Sequence, residues 1–328
     1  MRQAAFFGNW HWNPQRIFSK SQLLHYTFEC NKRVFRSTAI VPEKIPMCRF
    51  IAYLGQETSL SSLVTEPVHS LIHQSYHSHE RSEPLNGDGF GVTWYNRLVS
   101  QHPATLRDVS PAWNNQNLLS IASLVRSQCV FAHIRAATPG LPVTQLNCHP
   151  FTCGKFTFMH NGFITNFQSI RRGLLAKLSE QSFNTIAGST DSELMFALFL
   201  DALKEQTSQD SESMGRALGQ AIEVVEQANR DAGCTDNSLL NLAVTDGYEM
   251  AVTRYITDGS TQANTLYHHQ GQSYACVDGV CQMSATEDAA DVVMVASEPL
   301  SDHGQWTPVS PNQLLLVNRD LNVRTVDM

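Results

Sequence analysis

A cysteine stands directly after a methionine at Met47-Cys48, at the head of the apolar run Arg49-Phe50-Ile51-Ala52-Tyr53-Leu54-Gly55. A thiol in that place becomes residue one if the preceding methionine is clipped, and an N-terminal cysteine carries its own base. Its α-amine has a reference pKa of about 7.7–8.0 and a free thiol one of about 8.5, so the amine can take the thiol proton without a histidine. Cys48 is therefore a candidate nucleophile for attack on a carbonyl carbon, with a thioester as intermediate. If Cys48 stays internal, that chemistry is closed to it.

Such a nucleophile needs oxyanion donors and a grip on the rest of the substrate. Three polar clusters at the edges of expected elements offer them, and each has a plainer reading. In Phe131-Ala132-His133-Ile134-Arg135-Ala136, Arg135 ends an apolar strand and leads towards the Thr138-Pro139-Gly140 turn. It is placed to clamp a carboxylate with two parallel hydrogen bonds, or it is a surface arginine at a strand end. His133 alternates with apolar residues and reads as a hydrogen-bonded structural histidine. In Met159-His160-Asn161-Gly162-Phe163, the Asn161 amide and the Gly162 N–H form an oxyanion hole, or Asn-Gly makes a type I′ hairpin turn. In Gly188-Ser189-Thr190-Asp191-Ser192-Glu193, Asp191 holds a substrate ammonium, or Thr190 and Glu193 form a capping box with Asp191 in the first helical turn. Taken together, a thiol with its own amine, a carboxylate clamp, an oxyanion hole and an anion for an amine describe a site for a γ-glutamyl amide. Asn86-Gly87-Asp88-Gly89-Phe90-Gly91 precedes a strand, which argues against a phosphate loop. It reads as a tight turn that brings backbone close to the nucleophile's strand.

The elements that must position these groups follow from periodicity. Strands are expected at Phe50–Leu54, Phe90–Tyr95, Val130–Ile134 and Phe156–Met159, and helical spacing at Leu118–Val125, Phe167–Leu178, Leu194–Leu203 and Ala217–Ala228. The polar stretch Glu205–Ser213 reads as a loop. Leu240–Thr245 and Met250–Ile256 flank Asp246-Gly247 as a hairpin. Val292–Ala296, Leu314–Val317 and Val323–Val326 add strands. Strands first, helices in the middle and strands at the end argue for an α+β fold with antiparallel sheets.

The 328 residues carry 42% hydrophobic and 16% charged side chains, as in ordinary globular proteins. No apolar run approaches the roughly 18 residues needed to span a bilayer. The net charge of −7 argues against a general nucleic-acid binder. Residues 1–46 hold seven Lys/Arg and two Asp/Glu, the remainder 16 and 28. This basic, aromatic-rich leader reads as outside the mature protein, either ahead of the true start or removed, with a targeting leader and a structural extension as alternatives; residues 47–328 form the domain. The eight cysteines contain no CxxC pair. Most read as small buried hydrophobes in a reducing, cytoplasmic setting, without disulfide staples. Cys148/Cys153 and Cys276/Cys281 are too loosely spaced, without a matching His pair, for zinc. No metal or cofactor is expected.

From Met47 to near the C-terminus the chain resembles the class II glutamine amidotransferases, and within them the amidotransferase subunit of a fungal glutathione-degrading complex. The resemblance rests on MCRF (Met47–Phe50), NGDGFGV (Asn86–Val92), PAWNNQNL (Pro111–Leu118), FAHIRA (Phe131–Ala136), NCHPF (Asn147–Phe151), FMHNG (Phe158–Gly162), GSTDSE (Gly188–Glu193) and VMVASEPL (Val293–Leu300). It implies the N-terminal-nucleophile (Ntn) hydrolase fold, a four-layer αββα sandwich of two antiparallel sheets. It also implies Cys48 as nucleophile, Arg135 on the substrate α-carboxylate, Asn161 and Gly162 as oxyanion hole, and Asp191 on the α-amine. A metallopeptidase-like partner subunit is implied as well. Two departures stand out: the long segment ahead of Cys48, and Arg135-Ala136-Ala137-Thr138-Pro139-Gly140 where many synthase-type relatives carry Arg-Trp-Ala-Thr-His-Gly. The small Ala136 leaves room for a leaving group larger than ammonia, such as Cys-Gly from glutathione. A glutaminase or ammonia-supplying amidotransferase, a hydrolase of γ-glutamyl intermediates in thiol biosynthesis, and a non-catalytic interaction subunit are the competing readings.

Overall fold

The computed structural model describes residues 47–78, 85–137, 142–277, 280–284, 290–302 and 306–328. The basic segment 1–46 and the Thr138-Pro139-Gly140 turn lie outside them. In chain order the strands are β1 (Arg49–Ser59), β2 (Phe90–Trp94), β3 (Ala104–Asp108), β4 (Arg126–Ile134), β5 (Phe151–Cys153), β6 (Phe156–Phe163), β7 (Leu239–Thr245), β8 (Met250–Arg254), β9 (Tyr267–Gly271), β10 (Tyr274–Val277), β11 (Val280–Met283), β12 (Val292–Ala296), β13 (Thr307–Pro308), β14 (Gln313–Val317) and β15 (Val323–Asp327). The helices are α1 (Ser61–Val64), α2 (Leu71–Tyr76), α3 (Gln116–Ala122), α4 (Phe167–Leu175), α5 (Glu180–Phe183), α6 (Asp191–Lys204) and α7 (Ser211–Asp231).

Two antiparallel sheets carry the fold, in the orders β13-β9-β12-β1-β4-β2-β3 and β15-β14-β8-β7-β6-β5, with β10 and β11 forming a separate hairpin. The central strands of both sheets are buried on both faces. On β1, Ile51 and Tyr53 join one core with Leu60 just before α1 and Leu63, Leu71 and Leu118 from α1, α2 and α3. Alternate residues Phe50, Ala52 and Leu54 join a second core with Ala243, Val252 and Leu315 of the other sheet. That sheet's far face, with Phe158, Leu242 and Leu316, packs on Phe167, Phe199 and Leu218 of α4, α6 and α7. The period-two alternation of side chains thus sorts each central strand between two cores. The result is four layers, helices–sheet–sheet–helices, as expected of an α+β sandwich.

Some expectations change. Asn161-Gly162 is no hairpin turn: both residues lie inside β6, where Asn161 pairs with Asn241 and Gly162 with Leu240 of β7. The β7–β8 hairpin brings Thr245 opposite Met250. Its connection is therefore Asp246–Glu249, held by the Asp246 carboxylate on the Tyr248 and Glu249 N–H groups at 2.9 and 3.0 Å. Part of the polar stretch 205–213 is helix, because Asp210 caps α7 by accepting from the Ser213 N–H at 2.8 Å. Cys276 and Cys281 face each other across β10 and β11 and form a disulfide, against the expectation of a chain without one. The polar strand β9, with His268, His269 and Gln270, escapes a periodicity reading because its apolar content is low. No helix among the described residues is long and apolar enough to cross a membrane.

Candidate active site

β1 and β4 run antiparallel with Arg49 opposite Ile134, so Cys48 and Arg135 come together just beyond their paired ends. The Cys48 Sγ lies 3.4 Å from the Ala136 N–H and 3.6 Å from its carbonyl. The 86–89 turn closes one side, as its glycines and Asp88 require. The Asp88 N–H donates to the Arg135 carbonyl at 3.3 Å, the Arg135 N–H donates to Gly89 at 2.9 Å, and the Asp88 carboxylate accepts from the Ala137 N–H at 2.8 Å. The buried Asn86 amide donates to the Met47 carbonyl at 3.1 Å.

Arg135 is no surface arginine. It is 3% exposed; its Nη2 reaches the Pro142 carbonyl at 3.4 Å, and its Nη1 is buried with no hydrogen-bond partner among the described residues. A buried guanidinium N–H left open is costly unless a ligand uses it.

Asn161 comes from the second sheet and is also buried. Its Nδ2 donates to the Ser297 hydroxyl at 3.2 Å. The same hydroxyl accepts from the Phe50 N–H at 3.1 Å, and the Ser297 N–H returns to the Phe50 carbonyl at 3.1 Å. One buried serine thus ties the strand of the thiol to the asparagine amide. Beside it, Gly162 has φ +155, and a Cβ there would run into the Leu239 carbonyl; only glycine fits.

Asp191 opens α6. Thr190 caps the Glu193 N–H at 3.1 Å, which is half of the expected capping box. The Glu193 carboxylate does not return to Thr190; it takes the Ala187 and Gly188 N–H groups at 2.8 and 2.7 Å and so shapes the loop before the helix. Burial pushes the Glu193 carboxyl above its ordinary pKa. The Asp191 carboxylate accepts from the Ile164 N–H at 2.8 Å, just beyond β6, and from the Ser192 N–H at 2.8 Å. The Ser192 hydroxyl in turn meets His160 Nδ1 at 2.9 Å. Asn147 spans the remaining gap: its Nδ2 donates to the Pro142 carbonyl, which Arg135 shares, at 3.0 Å, and its Oδ1 accepts from the Ser189 N–H at 2.9 Å.

Two features lie behind the site; the first was not singled out from the sequence, and of the second only His133 was. Arg49 and Glu298 form a buried ion pair at 2.5 Å. Arg49 also donates to the Cys48 carbonyl and to Ser78, each at 2.9 Å, and Ser78 bonds Glu298 closely. The second feature is a group of buried histidines, with His160 on the helix-facing side of β6 beside Ser192. His133 Nε2 meets the His160 carbonyl at 3.1 Å, and the His133 and His149 rings lie 4.2 Å apart. Burial lowers the pKa of His133 to about 3, and that of His149 well below the usual value, with His133 adding to the effect. His160 is lowered by burial, opposed by nearby Asp191. Burial thus favours the neutral form of all three, and the His133 ring is engaged by the His160 carbonyl.

The five residues Cys48, Arg135, Asn161, Gly162 and Asp191 therefore converge on one end of the sandwich, linked through Ser297, Asn147, Ser192 and the 86–89 turn. The arrangement combines a thiol, an open guanidinium N–H, amide donors and a carboxylate. No group of three or more His, Cys, Asp or Glu side chains suited to a metal ion occurs among the described residues.

Residues 61–327 match the family model of class II glutamine amidotransferases. Over 294 residues, 83% of this chain and 82% of the other, the chain is 41% identical to a Saccharomyces cerevisiae protein named probable glutamine amidotransferase DUG3. It is 28% identical over 279 residues to the γ-glutamyl-hercynylcysteine sulfoxide hydrolase of Mycolicibacterium smegmatis, covering 84% of this chain and 98% of that one. Among solved structures, a glutamine aminotransferase class-II domain protein from Silicibacter pomeroyi matches with a TM-score of 0.60 at 25% identity, over 86% of this chain and 99% of that one.

Proposed function

The chain belongs to the class II glutamine amidotransferases, and from that premise we propose that it hydrolyses the γ-glutamyl amide of glutathione, releasing glutamate and Cys-Gly. Cys48 is the nucleophile and the first residue of the mature protein. Its α-amine takes the thiol proton, and the thiolate attacks the γ-carbonyl carbon. The Asn161 amide and the Gly162 N–H receive the oxyanion. The α-ammonium returns the proton to the departing Cys-Gly amine, and water, activated by the same amine, opens the thioester. Arg135 grips the α-carboxylate and Asp191 the α-ammonium.

The observation that carries this reading is the buried Arg135 with Nη1 unpartnered, one residue from the backbone that the Cys48 thiol touches. A carboxylate supplies the acceptor that this guanidinium lacks, and a γ-glutamyl group brings that carboxylate together with an amine. The small Ala136 beside the thiol favours a leaving group larger than ammonia. One relative is named for hydrolysing a γ-glutamyl derivative of a cysteine-containing compound, a leaving group similar in kind to Cys-Gly. That relative also supports a second reading, a γ-glutamyl intermediate of thiol biosynthesis as substrate. Glutamine, with release of ammonia, is a third. The Cys-Gly product calls for a peptidase, so we place a metallopeptidase-like partner beside this subunit, in the cytoplasm.

The test couples intact-mass measurement of the active protein to turnover of glutathione and glutamine. The expected species starts at Cys48 and releases glutamate from glutathione, and Cys48→Ala abolishes turnover while the protein stays folded. An active species that retains Met1 would refute the mechanism. Retention of residues 1–47 with no turnover at all would point to a non-catalytic interaction subunit. Efficient release of ammonia from glutamine, with no glutamate from glutathione, would sink the substrate assignment and leave the nucleophile standing.

A further inference from the structure

A cleft with both polar and apolar walls, Leu54 and Leu321 among the latter, opens at the other end of the sandwich from Cys48, where the turns of the two sheets meet. It has a volume of about 250 Å³ and is lined by Gln56 of β1, Gln128 of β4, Arg97 after β2, Tyr248 of the β7–β8 turn, Asp291 before β12 and Arg319 after β14. Two guanidiniums lie over one ring there, Arg97 at 4.2 Å and Arg319 at 4.7 Å from the Tyr248 centroid. Arg97 donates to the Gln128 side-chain amide oxygen at 2.9 Å and to the Gly247 backbone carbonyl, which fixes its plane. Its Nε is buried without a hydrogen-bond partner among the described residues. Two carboxylates accompany the two guanidiniums. Asp291 accepts from the Gln56 amide at 3.3 Å, and the Glu249 carboxylate stays 4.0 Å from Arg319.

Residues 47–328 hold 16 Lys/Arg against 28 Asp/Glu, so two cations on one small cleft stand against the charge of the whole. Their mutual repulsion is eased by the ring face, by Asp291 in the cleft wall and by Glu249 beside Arg319, while the Arg97 Nε keeps a donor without an acceptor among the described residues. Guanidiniums pair with carboxylate and phosphate oxygens in forked geometry, and the Gln56 and Gln128 amides add neutral donors. The volume falls below the usual range for drug-sized ligands, which points to a small anion.

We propose that this cleft binds a small oxyanion, a phosphate or a short dicarboxylate, between Arg97 and Arg319 at a place separate from the γ-glutamyl site. The site does not depend on the substrate assignment. Thermal unfolding of the full chain is followed at fixed ionic strength in inorganic phosphate, in succinate, and in chloride alone as control. The midpoint is expected to rise saturably with phosphate, succinate or both; the arm that gives the rise identifies the class of anion. Arg319 is 67% exposed, so Arg319→Gln spares the fold. It is expected to weaken the apparent affinity on the order of tenfold or more while γ-glutamyl hydrolysis stays at the wild-type rate. Arg135→Gln, at the other site, is expected to keep the rise. No rise over chloride in either arm, an undiminished rise in Arg319→Gln, or loss of the rise in Arg135→Gln would each overturn the proposal.

Discussion

At the scale of single residues, Ser297 does more than its type announces. Its hydroxyl accepts from both the Phe50 N–H and the Asn161 amide, so it fixes the distance between the thiol's strand and the proposed oxyanion donor. Ser297→Ala removes the acceptor and leaves two buried N–H donors open, at about 1–3 kcal/mol each. If Asn161 serves the transition state, kcat should fall about tenfold or more with KM little changed, and Ser297→Thr should recover part of the loss. Equal effects on kcat and KM, or none, would show that the serine only packs. The five candidate residues were legible because each sits in a short local run whose neighbours declare an element edge. Ser297 and Glu298 were not legible as contributors, because their partners Phe50 and Arg49 lie 247 and 249 positions away. Asn161-Gly162 was legible as a pair but not in its setting: the dipeptide favours a turn by local propensity, and pairing with β7 overrides it.

At the scale of elements, the loop before α6 is held by a carboxylate that the capping pattern assigned elsewhere. Glu193 lies in the first turn of the helix and reaches back past Thr190 to the Ala187 and Gly188 N–H groups. A Cβ at Gly188 would press on the Asn147 and Glu193 side-chain oxygens and force them to shift. Glu193→Ala should loosen residues 187–190, lower stability by about 1–3 kcal/mol and raise KM for the γ-glutamyl substrate through Asp191, with kcat largely kept. Urea unfolding and steady-state kinetics on the same preparation check both parts; an unchanged KM would separate the loop from Asp191. The helix itself was readable from its apolar content and its Thr190 cap. The destination of the Glu193 side chain was not, because a sequence pattern gives spacing but not the path of the preceding loop.

At the scale of the whole molecule, the sandwich buries His133, His149 and His160 in neutral form. In the unfolded chain these imidazoles take up protons near their ordinary value of 6.5, whereas the folded chain resists doing so. The unfolded state therefore binds more protons as pH falls below 6.5. Their contribution to stability is complete above that pH and is lost progressively towards the depressed folded values, at up to about 1.4 kcal/mol per pH unit for each histidine. The raised carboxyls of Glu193 and Glu226 work against this slope nearer their own titration. The expected result is a lower urea midpoint at about pH 5.5 than at about pH 7.5; an equal or higher midpoint would count against it. The α+β class with antiparallel sheets was legible from the order of strand and helix runs, whereas the four layers followed only from the family resemblance. Which edges the short polar strands occupy was not. The central place of β1 between β12 and β4 also sets an order of assembly. β4 follows β1 by well under a hundred residues, but β12 lies more than 230 residues after the start of β1. Closing that gap is entropically slow, and a chain emerging from the ribosome cannot do it until most of its length has been made. The thiol is thus among the first reactive groups of this domain to be synthesised, while the frame that would make it selective closes near the end.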